Sequence, residues 1–228
     1  FSGGKDSTAM LLMMLEKGMP VDEIIFVDTG LEFPEMYEYI DKIEKRILRP
    51  ITRIKAEKGW DYWFYRKKEK GNRMGEIYGW PFTIGAWCND RLKLKPLHDY
   101  EKKINEEYVW YIGIAADEKP RYARIQAFER QKAPLYEWGI TEQMAREYLE
   151  KRNLLNPLYQ YFDRLGCYLC PKQNARSLRT LYDNWPDLWQ KLLQYDKESP
   201  NQFKDGYTVH DFDLRFRKED MQGELNFG

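Results

Sequence analysis

The 228-residue sequence is poor in cysteine and histidine and has no excess of charge of either sign. It contains three cysteines and two histidines, and its 37 lysines and arginines balance 37 aspartates and glutamates. Three unevenly spaced cysteines are too few for the disulfide framework of a small secreted domain, so metal or redox use is the better interpretation. The balanced charge gives no argument for a nucleic acid, a membrane or an acidic partner, although local patches stay open.

Long apolar segments are also absent from the sequence. The longest apolar run extends from Ala9 to Leu15, which is far too short to cross a bilayer. We therefore expect a cytoplasmic protein without a membrane partner. The sequence begins at the edge of a glycine-rich loop and not with the strand that should precede such a loop. We expect that first strand to lie upstream of Phe1.

The glycine-rich loop at residues 1–7, Phe-Ser-Gly-Gly-Lys-Asp-Ser, stands directly before an apolar helix. Two glycines allow the backbone to turn tightly and to present N–H groups to a ligand, and the N-terminus of the following helix favours negative charge. Lys5 adds a full positive charge. The Walker motif has four residues between its first glycine and the Gly-Lys pair, so this spacing disfavours a generic kinase or GTPase. The pattern predicts a phosphate-binding loop with Asp6 or Ser7 as the helix cap. A chance glycine-rich linker is the alternative.

Strand and helix patterns alternate in the first half of the chain. Residues 23–28 and 51–54 are short runs typical of strands, and Pro34 marks the start of a helix between them. A further buried strand is predicted at 108–113. This order predicts an α/β fold with a doubly wound, mainly parallel sheet, in which ligands bind beyond the carboxyl ends of the strands. The segments expected at that edge are the opening loop, Asp28-Thr29-Gly30 and residues 115–121.

The rest of the sequence predicts helices and one irregular basic segment. Residues 66–85 combine lysines and arginines with four glycines, which indicates a mobile basic loop, either a solvated surface or a substrate-gripping lid. Leucines and tryptophans between residues 178 and 193 recur at helical spacing, whereas the residues after about Ser199 show no clear period. We predict a nucleotide-binding domain at 1–175 and a helical C-terminal extension at 176–228.

Several motifs resemble those of one enzyme family. Residues 2–7 resemble the Ser-Gly-Gly-x-Asp-Ser signature of the PP-loop family, whose members are adenine-nucleotide enzymes with an adenine nucleotide alpha-hydrolase-like fold. Residues 27–35 resemble the second motif of the phosphoadenylyl-sulfate (PAPS) reductase branch, roughly Asp-Thr-Gly, two residues, Phe-Pro-Glu. Cys88 with the basic residues after it, residues 156–159 (Asn-Pro-Leu-Tyr) and residues 166–170 are similar to later landmarks of that branch. The resemblance covers most of the chain to about residue 175.

The resemblance implies an enzyme that binds an adenine nucleotide, either ATP or a sulfonucleotide, together with Mg²⁺. The nucleotide-binding residues that it implies are Ser2, Gly3, Gly4, Lys5, Asp6, Ser7, Asp28, Thr29 and Gly30. Lys5, Asp6 and Cys88 would be catalytic. Guanidinium and ammonium groups suit phosphate or sulfate, although any one of them can be an ordinary surface charge. The candidate anion contacts are Arg91, Lys93, Arg121 and Arg124. For Asp28, a turn role at a strand end is the alternative to orienting a ribose or a magnesium ion.

The three cysteines pose a separate question. Cys88, Cys167 and Cys170 offer soft thiolate ligands, which suit an iron–sulfur cluster or zinc. Related reductases with a [4Fe-4S] cluster have two adjacent cysteines where this chain has Trp87 and Cys88, so one ligand is missing and one iron would stay open to sulfide or substrate. His98 could instead complete a zinc site. Reduced structural cysteines without a metal are the third alternative.

Two departures limit the reductase interpretation. The strand-tip motif of the branch, Gly-x-Arg-Arg, stands here as Gly-Ile-Ala-Ala at residues 113–116, so the arginines that would grip a sulfonucleotide are missing. The C-terminal Cys-Gly-(Ile/Leu)-His segment that bears the nucleophilic thiol has no counterpart either, because no cysteine follows Cys170. The chain therefore lacks the thiol that usually attacks the sulfur of the nucleotide.

Three functions stay open at this point. The first is an enzyme of the PAPS reductase family that uses an adenine nucleotide for sulfur transfer or reduction, as a transferase or an oxidoreductase. The second is a true sulfonucleotide reductase with an unusual thiol partner. The third is a nucleotide-binding module with structural zinc in a nucleic-acid-modification or defence complex. A tRNA or DNA acceptor and a thiol or sulfur donor protein are compatible partners.

Overall fold

The computed structural model describes residues 1–225, with side chains through Gln222. Residues 226–228 of the predicted C-terminal extension lie outside the described part. The helices are α1 (Lys5–Glu16), α2 (Pro34–Ile47), α3 (Trp60–Tyr65), α4 (Trp87–Asn89), α5 (Lys95–Glu101), α6 (Lys119–Ile125), α7 (Pro134–Glu137), α8 (Glu142–Glu150), α9 (Ala175–Asn184), α10 (Pro186–Glu198) and α11 (Val209–Leu225). A π-helical turn at Asp90–Leu94 joins α4 to α5, and a 3₁₀ turn covers Pro157–Gln160. The strands are β1 (Ile25–Asp28), β2 (Thr52–Lys55), β3 (Trp110–Tyr111) and β4 (Gln131–Lys132).

Two compact units make up the described chain. The first combines Phe1–Asp28, Phe33–Lys55 and Pro96–Leu165, and it contains all four strands. The second combines Thr29–Glu32, Ala56–Lys95 and the described part of Gly166–Gly228. The units are interleaved along the sequence, and the predicted division at residue 175 stays a prediction.

The strands of the first unit pair in parallel, as the alternating pattern predicts. β1 pairs with β2 from Ile25 opposite Thr52 to Asp28 opposite Lys55. β3 pairs with β4, with Trp110 opposite Gln131. Parallel strands need a crossover between them, and α2 supplies the crossover from β1 to β2. The α/β fold with a helical C-terminal region is confirmed.

The core of the first unit forms around α1 and α2. α1 is apolar nearly all round, so it is buried, and it packs against α7 and α8. Met10 and Met14 meet Leu135 in one cluster. α2 has Pro34 at its first turn, as predicted, and buries one face of Met36, Tyr39, Ile40 and Ile43. A groove of about 800 Å³ is lined by α1, β1 and β3 side chains, Met10, Ile25 and Trp110 among them.

The second unit has a core rich in aromatic side chains. Trp60 and Phe64 of α3 pack against Trp80, which in turn contacts Phe203. The predicted basic loop at 66–85 is irregular, and the guanidinium of Arg73 donates to the side-chain oxygen of Asn201 at 2.7 Å. This segment is therefore tied to other parts of its unit.

α11 lies in the predicted helical C-terminal extension, although its sequence shows no clear period, and two of its buried residues, Phe212 and Phe216, pack against each other. The strand predicted at 108–113 is reduced to β3, whose side chains are only half-buried. None of the described helices is both long and apolar enough to cross a membrane.

Candidate functional site

The glycine-rich loop precedes α1 in the first unit. Gly4 is the residue before the helix, has an extended backbone and receives no side-chain cap. The predicted cap at Asp6 or Ser7 is therefore wrong, because both residues lie inside the first turn. The Ser7 hydroxyl donates to the Gly4 carbonyl at 3.0 Å and accepts from the Ser2 amide at 3.1 Å. These bonds fold the loop back on the helix. The first-turn amides have no carbonyl of their own helix to bind, which makes this end suited to an anion.

Two glycines of the first unit are required by close packing around the loop. Gly3 has a left-handed backbone with φ of 71°, and a Cβ there would collide with the Sδ of Met36. Gly113, two residues after β3, lies against the first turn of α1. A Cβ at Gly113 would stand 2.8 Å from the backbone N and Cα of Ser7. The sequence signalled Gly3 through the loop motif, but only the packing reveals why residue 113 is a glycine.

Residues 156–159 hold the glycine-rich loop in place through hydrogen bonds. The buried Asn156 side chain donates to the Gly3 carbonyl at 3.0 Å and accepts from the Leu158 amide at 3.0 Å. The Tyr159 hydroxyl accepts from the Lys5 amide at 2.9 Å, and burial raises the pKa of Tyr159. The hydroxyl therefore keeps its proton at neutral pH. The sequence flagged this segment only as a family landmark, and its contact with the loop could not be inferred from spacing.

Lys5 lies at the first helical position with its ammonium group between two carboxylates. Its Nζ lies 2.9 and 3.1 Å from the two Asp6 oxygens and 2.5 Å from Oε2 of Glu142, the first residue of α8. Burial opposes the charge of Lys5, but the hydrogen bonds to Glu142 and Asp6 prevail, and the pKa of Lys5 is raised. Lys5 is thus fully charged at neutral pH. Sequence reasoning missed Glu142 entirely.

The surroundings of Lys5 are acidic. Burial raises the pKa of Asp6, Lys5 lowers it, and the charges of Glu142 and Glu118 raise it further. Asp117 accepts the Glu142 amide at 3.1 Å. The predicted anion contact Arg121 instead pairs with Glu118, with its Nη1 3.0 and 3.2 Å from the two carboxylate oxygens. Arg124, the other predicted anion contact on α6, is exposed.

The predicted residues after the first strand are held by neighbouring side chains. Asp28 is buried at the end of β1, accepts from the Tyr37 hydroxyl at 2.8 Å and pairs with Lys55 at 2.8 Å. In the second unit, the Thr29 hydroxyl donates to Glu32 at 3.0 Å, and Gly30 has a left-handed φ of 74° that permits the turn. These contacts fit a turn role and leave the ribose and magnesium roles of Asp28 as predictions.

The three cysteines all belong to the second unit, together with Lys93. The thiols of Cys167 and Cys170 interact directly, which lowers the pKa of Cys170 and, together with burial, raises that of Cys167. Burial is also the main cause of the raised pKa of Cys88, and the charge of Cys170 adds to it. The Lys93 ammonium favours the thiolate form at all three sites. The structure therefore pairs Cys167 with Cys170 and places Cys88, which is 79 or more residues away in sequence, near enough for the charge of Cys170 to act on it.

Arg91, the remaining predicted anion contact, lies in the π-helical turn of the second unit. Its guanidinium stands 4.7 Å from the centroid of the Trp63 ring and 3.3 Å from a carboxylate oxygen of Asp90. A cation over an aromatic face is stabilised by the ring quadrupole. This arrangement accounts for Arg91 without a ligand, so its role in anion binding stays a prediction.

A metal centre is not assembled in the described residues. Between residues 1 and 225, there is no group of three or more His, Cys, Asp or Glu side chains that could hold a metal ion. The donor types of the three cysteines suit a soft metal, although they do not form such a group in the described residues. His98, the proposed fourth ligand, has its Nδ1 3.3 Å from a carboxylate oxygen of Glu101. The metal site stays a prediction.

Comparison with known proteins finds a matching domain family and similar proteins. The model of the phosphoadenosine phosphosulfate reductase domain matches residues 1–173. An uncharacterized protein of Methanocaldococcus jannaschii is 30% identical over 202 residues, which cover 84% of this chain and 39% of the relative. The adenosine 5'-phosphosulfate reductase of Staphylococcus haemolyticus is 29% identical over 170 residues, which cover 71% of this chain and 65% of that enzyme. This chain thus spans about two fifths of the first relative.

A solved structure is also similar. The crystal structure of phosphoadenylyl-sulfate reductase from Candida auris, in a phosphate complex, matches with a TM-score of 0.48 and 16% sequence identity over 72% of this chain and 77% of that chain. Neither the domain model nor these relatives supports a tRNA or DNA acceptor.

Proposed function

The chain belongs to the phosphoadenosine phosphosulfate reductase domain family, and from this premise we propose that it is an enzyme that binds an adenine nucleotide and acts in sulfur transfer or reduction. The observation that carries the proposal is the braced loop at residues 2–7. Its backbone turns at Gly3, its position is fixed by Asn156 and Tyr159, and its first helical residue is a charged lysine. A loop held this rigidly ahead of a helix is suited to phosphate.

The chemistry of phosphate binding follows from the groups at the loop. The first-turn amides of α1 and the helix dipole favour negative charge, and Lys5 supplies a full positive charge. The Tyr159 hydroxyl accepts from the Lys5 amide and so keeps its own proton free to donate to an anion. Asp6 remains proposed as a catalytic carboxyl beside Lys5. Asp28 remains proposed beside the ribose or magnesium, where a ligand would have to displace Lys55 or Tyr37.

The first version of the proposed reaction uses ATP. A substrate oxygen attacks the α-phosphate, the bond to the β-phosphate oxygen breaks, and pyrophosphate leaves from the loop. The charge that develops on the leaving oxygens is stabilised by Lys5 and the loop amides. Hydrosulfide from a sulfur donor then attacks the activated atom of the substrate, the bond from that atom to the adenylate oxygen breaks, and AMP leaves. Magnesium would enter with the nucleotide, since Mg²⁺ is commonly held by substrate phosphates and one or two carboxylates.

The second version reduces a sulfonucleotide, and the contact between the Cys167 and Cys170 thiols favours it. The Cys170 thiolate attacks the sulfur, the bond from sulfur to the phosphate oxygen breaks, and the nucleotide leaves. Cys167 then attacks the sulfur of Cys170, which releases sulfite and forms a disulfide between the two cysteines. A dithiol reductant of the cell restores both thiols. Cys88 remains proposed as a third thiol of this set, and no step passes through a metal.

Calorimetric titration tests the common part of the proposal. We expect ATP or adenosine 5'-phosphosulfate to bind the unaltered protein. Lys5→Met should lower the affinity for the nucleotide that binds more tightly by about tenfold or more, because a phosphate contact to a charged group is lost. Lys42→Met is the matched control, since Lys42 is exposed on α2 and donates only to the Asn153 carbonyl. The ligand that binds more tightly selects the version of the reaction.

The proposal would fail if neither nucleotide binds at millimolar concentration. If a nucleotide binds but Lys5→Met and Lys42→Met weaken it equally, the binding site is not the loop. Sulfite release from adenosine 5'-phosphosulfate in the presence of a dithiol, lost in Cys170→Ser, would establish the second version.

A further inference from the structure

The ammonium group of Lys5 is held between two carboxylates. An ammonium group has three N–H donors. Both oxygens of Asp6 lie within 3.1 Å of the nitrogen, and Oε2 of Glu142 lies 2.5 Å from it. The two Asp6 oxygens belong to one carboxylate and lie in nearly the same direction from Nζ, so they share one N–H, and Glu142 takes a second. A phosphate oxygen that takes the N–H now directed at Glu142 must replace that carboxylate.

Glu142 is the carboxylate that is easier to displace. Asp6 is the neighbour of Lys5 in the same helical turn, and its side chain is only 20% exposed. Glu142 belongs to a different helix, 137 residues away in sequence, and its side chain is 47% exposed. Release of Glu142 needs only a side-chain rotation into water, because its backbone stays fixed by the hydrogen bond from its amide to Asp117.

The negative charge around Lys5 further opposes the binding of an anion. The charge of Glu118 acts on Asp6, and Arg121 is itself paired with Glu118. In the absence of a ligand, Lys5 thus faces more negative than positive charge. An approaching phosphate therefore finds Glu142 already paired with Lys5 and is repelled by the negative charges of Asp6 and Glu118.

We propose that Glu142 is a gate that occupies one anion position on Lys5 and competes with the phosphate of a ligand for it. This inference rests on the proposed nucleotide binding at the loop. The gate lowers the affinity for every anion that contacts Lys5, so a ligand needs further contacts to bind. A nucleotide brings an adenosine moiety that can supply them, whereas inorganic pyrophosphate does not. Glu142 therefore weakens the binding of free phosphates and nucleotides alike, and a nucleotide offsets the loss through its further contacts.

A double-mutant cycle with pyrophosphate as the probe tests the gate. Binding is measured by calorimetry in metal-free buffer for the unaltered protein, Glu142→Gln, Lys5→Met and the double variant. We expect Glu142→Gln to bind pyrophosphate about tenfold more tightly, since one competing ion pair and one like charge are removed. In the Lys5→Met background the same substitution should give no gain, because the gate acts through Lys5.

Controls separate the gate from general electrostatics and from misfolding. Glu147→Gln removes the same charge from the same helix, at a side chain that contacts Gln143 and not Lys5, and should leave the affinity unchanged. If Glu142→Gln does not fold, Glu142→Asp replaces it, because the shorter side chain keeps the charge but withdraws from Lys5.

Each outcome decides between the hypotheses. Equal pyrophosphate affinity in Glu142→Gln and the unaltered protein overturns the gate and leaves nucleotide binding intact. A gain that persists without Lys5 also overturns it, since the effect would then be long-range repulsion. If neither ATP nor adenosine 5'-phosphosulfate binds any variant, the proposed function fails and the gate fails with it.

Discussion

The hydroxyl of Tyr159 accepts a hydrogen bond from the backbone amide of Lys5 at 2.9 Å. The tyrosine belongs to the 3₁₀ turn at Pro157–Gln160, and the lysine begins α1, so this bond ties the end of the sheet-bearing unit to the start of its first helix. One of the unpaired donors of the helix N-terminus is satisfied in this way. The bond fixes the orientation of the residue that carries the positive charge of the loop.

Removal of this hydroxyl should weaken both the loop and its ligand. We expect Tyr159→Phe to lower the free energy of unfolding by about 1 kcal/mol, the net worth of one hydrogen bond, and to weaken nucleotide binding several-fold. Urea unfolding and calorimetry measure the two effects. Tyr62→Phe is the control, because the ring of Tyr62 is half-exposed on α3. Equal losses in both variants would show that the Tyr159 hydroxyl has no special role.

The close approach of Gly113 to α1 gives a second prediction. Gly113→Ala should destabilise the protein by about 1–3 kcal/mol and displace the loop, since the added methyl meets backbone atoms of Ser7 that cannot rotate away. Gly59→Ala is the matched control, because its φ is −78° and a Cβ there meets no atom within 4 Å. Thermal unfolding of the two variants distinguishes steric clash from the general effect of losing a glycine. Unchanged stability in Gly113→Ala would contradict the packing.

Asn156 permits a test of the polar brace. Asn156→Ala leaves the carbonyl of Gly3 and the amide of Leu158 without their buried partner, and we expect a loss of about 2–3 kcal/mol in the free energy of unfolding. Asn156→Asp keeps an acceptor for Leu158 but loses the donor to Gly3 and buries a charge, so it should cost at least as much. A milder effect of Asn156→Asp than of Asn156→Ala, measured by urea unfolding at neutral pH, would contradict the donor role.

The thiol pair predicts a pH-dependent reactivity. Hydrogen bonding from Cys167 lowers the pKa of Cys170, whereas burial raises that of Cys88. Since the thiolate is the nucleophile, Cys170 should be alkylated faster than Cys88 at pH 7, and its rate should fall only when the pH drops below its lowered pKa. Peptide mass spectrometry after brief iodoacetamide treatment under anaerobic conditions measures both rates.

The Cys167→Ser variant completes the thiol test. A serine donates a hydrogen bond as well, so it should preserve the lowered pKa of Cys170 but prevent a disulfide at that position. If all three cysteines are equally protected from alkylation and the protein contains iron or zinc, the result would instead support the predicted metal site.

Much of the local structure could be predicted because it depends on neighbouring residues. The apolar run of α1 and Pro34 at the start of α2 follow from spacing and from the preference of proline for the first helical turn, and the structure confirms them. The C-terminal extension was predicted to be helical, but the bounds of α11 were not, because its buried residues lie among charged ones and give no clear helical period. Its burial comes from contacts with α9 and α10, which no local pattern records.

The sequence by itself determined the phosphate-loop motif, the parallel α/β order and the family, because each of these is encoded in short segments of fixed spacing. Only the tertiary structure decided that Glu142 binds Lys5, that Asn156 supports Gly3 and that Gly113 touches the first turn of α1. These contacts join residues more than a hundred positions apart. They depend on how α8 and the 156–159 segment pack beside α1, and that packing is set by the buried faces of the whole unit and not by any single motif.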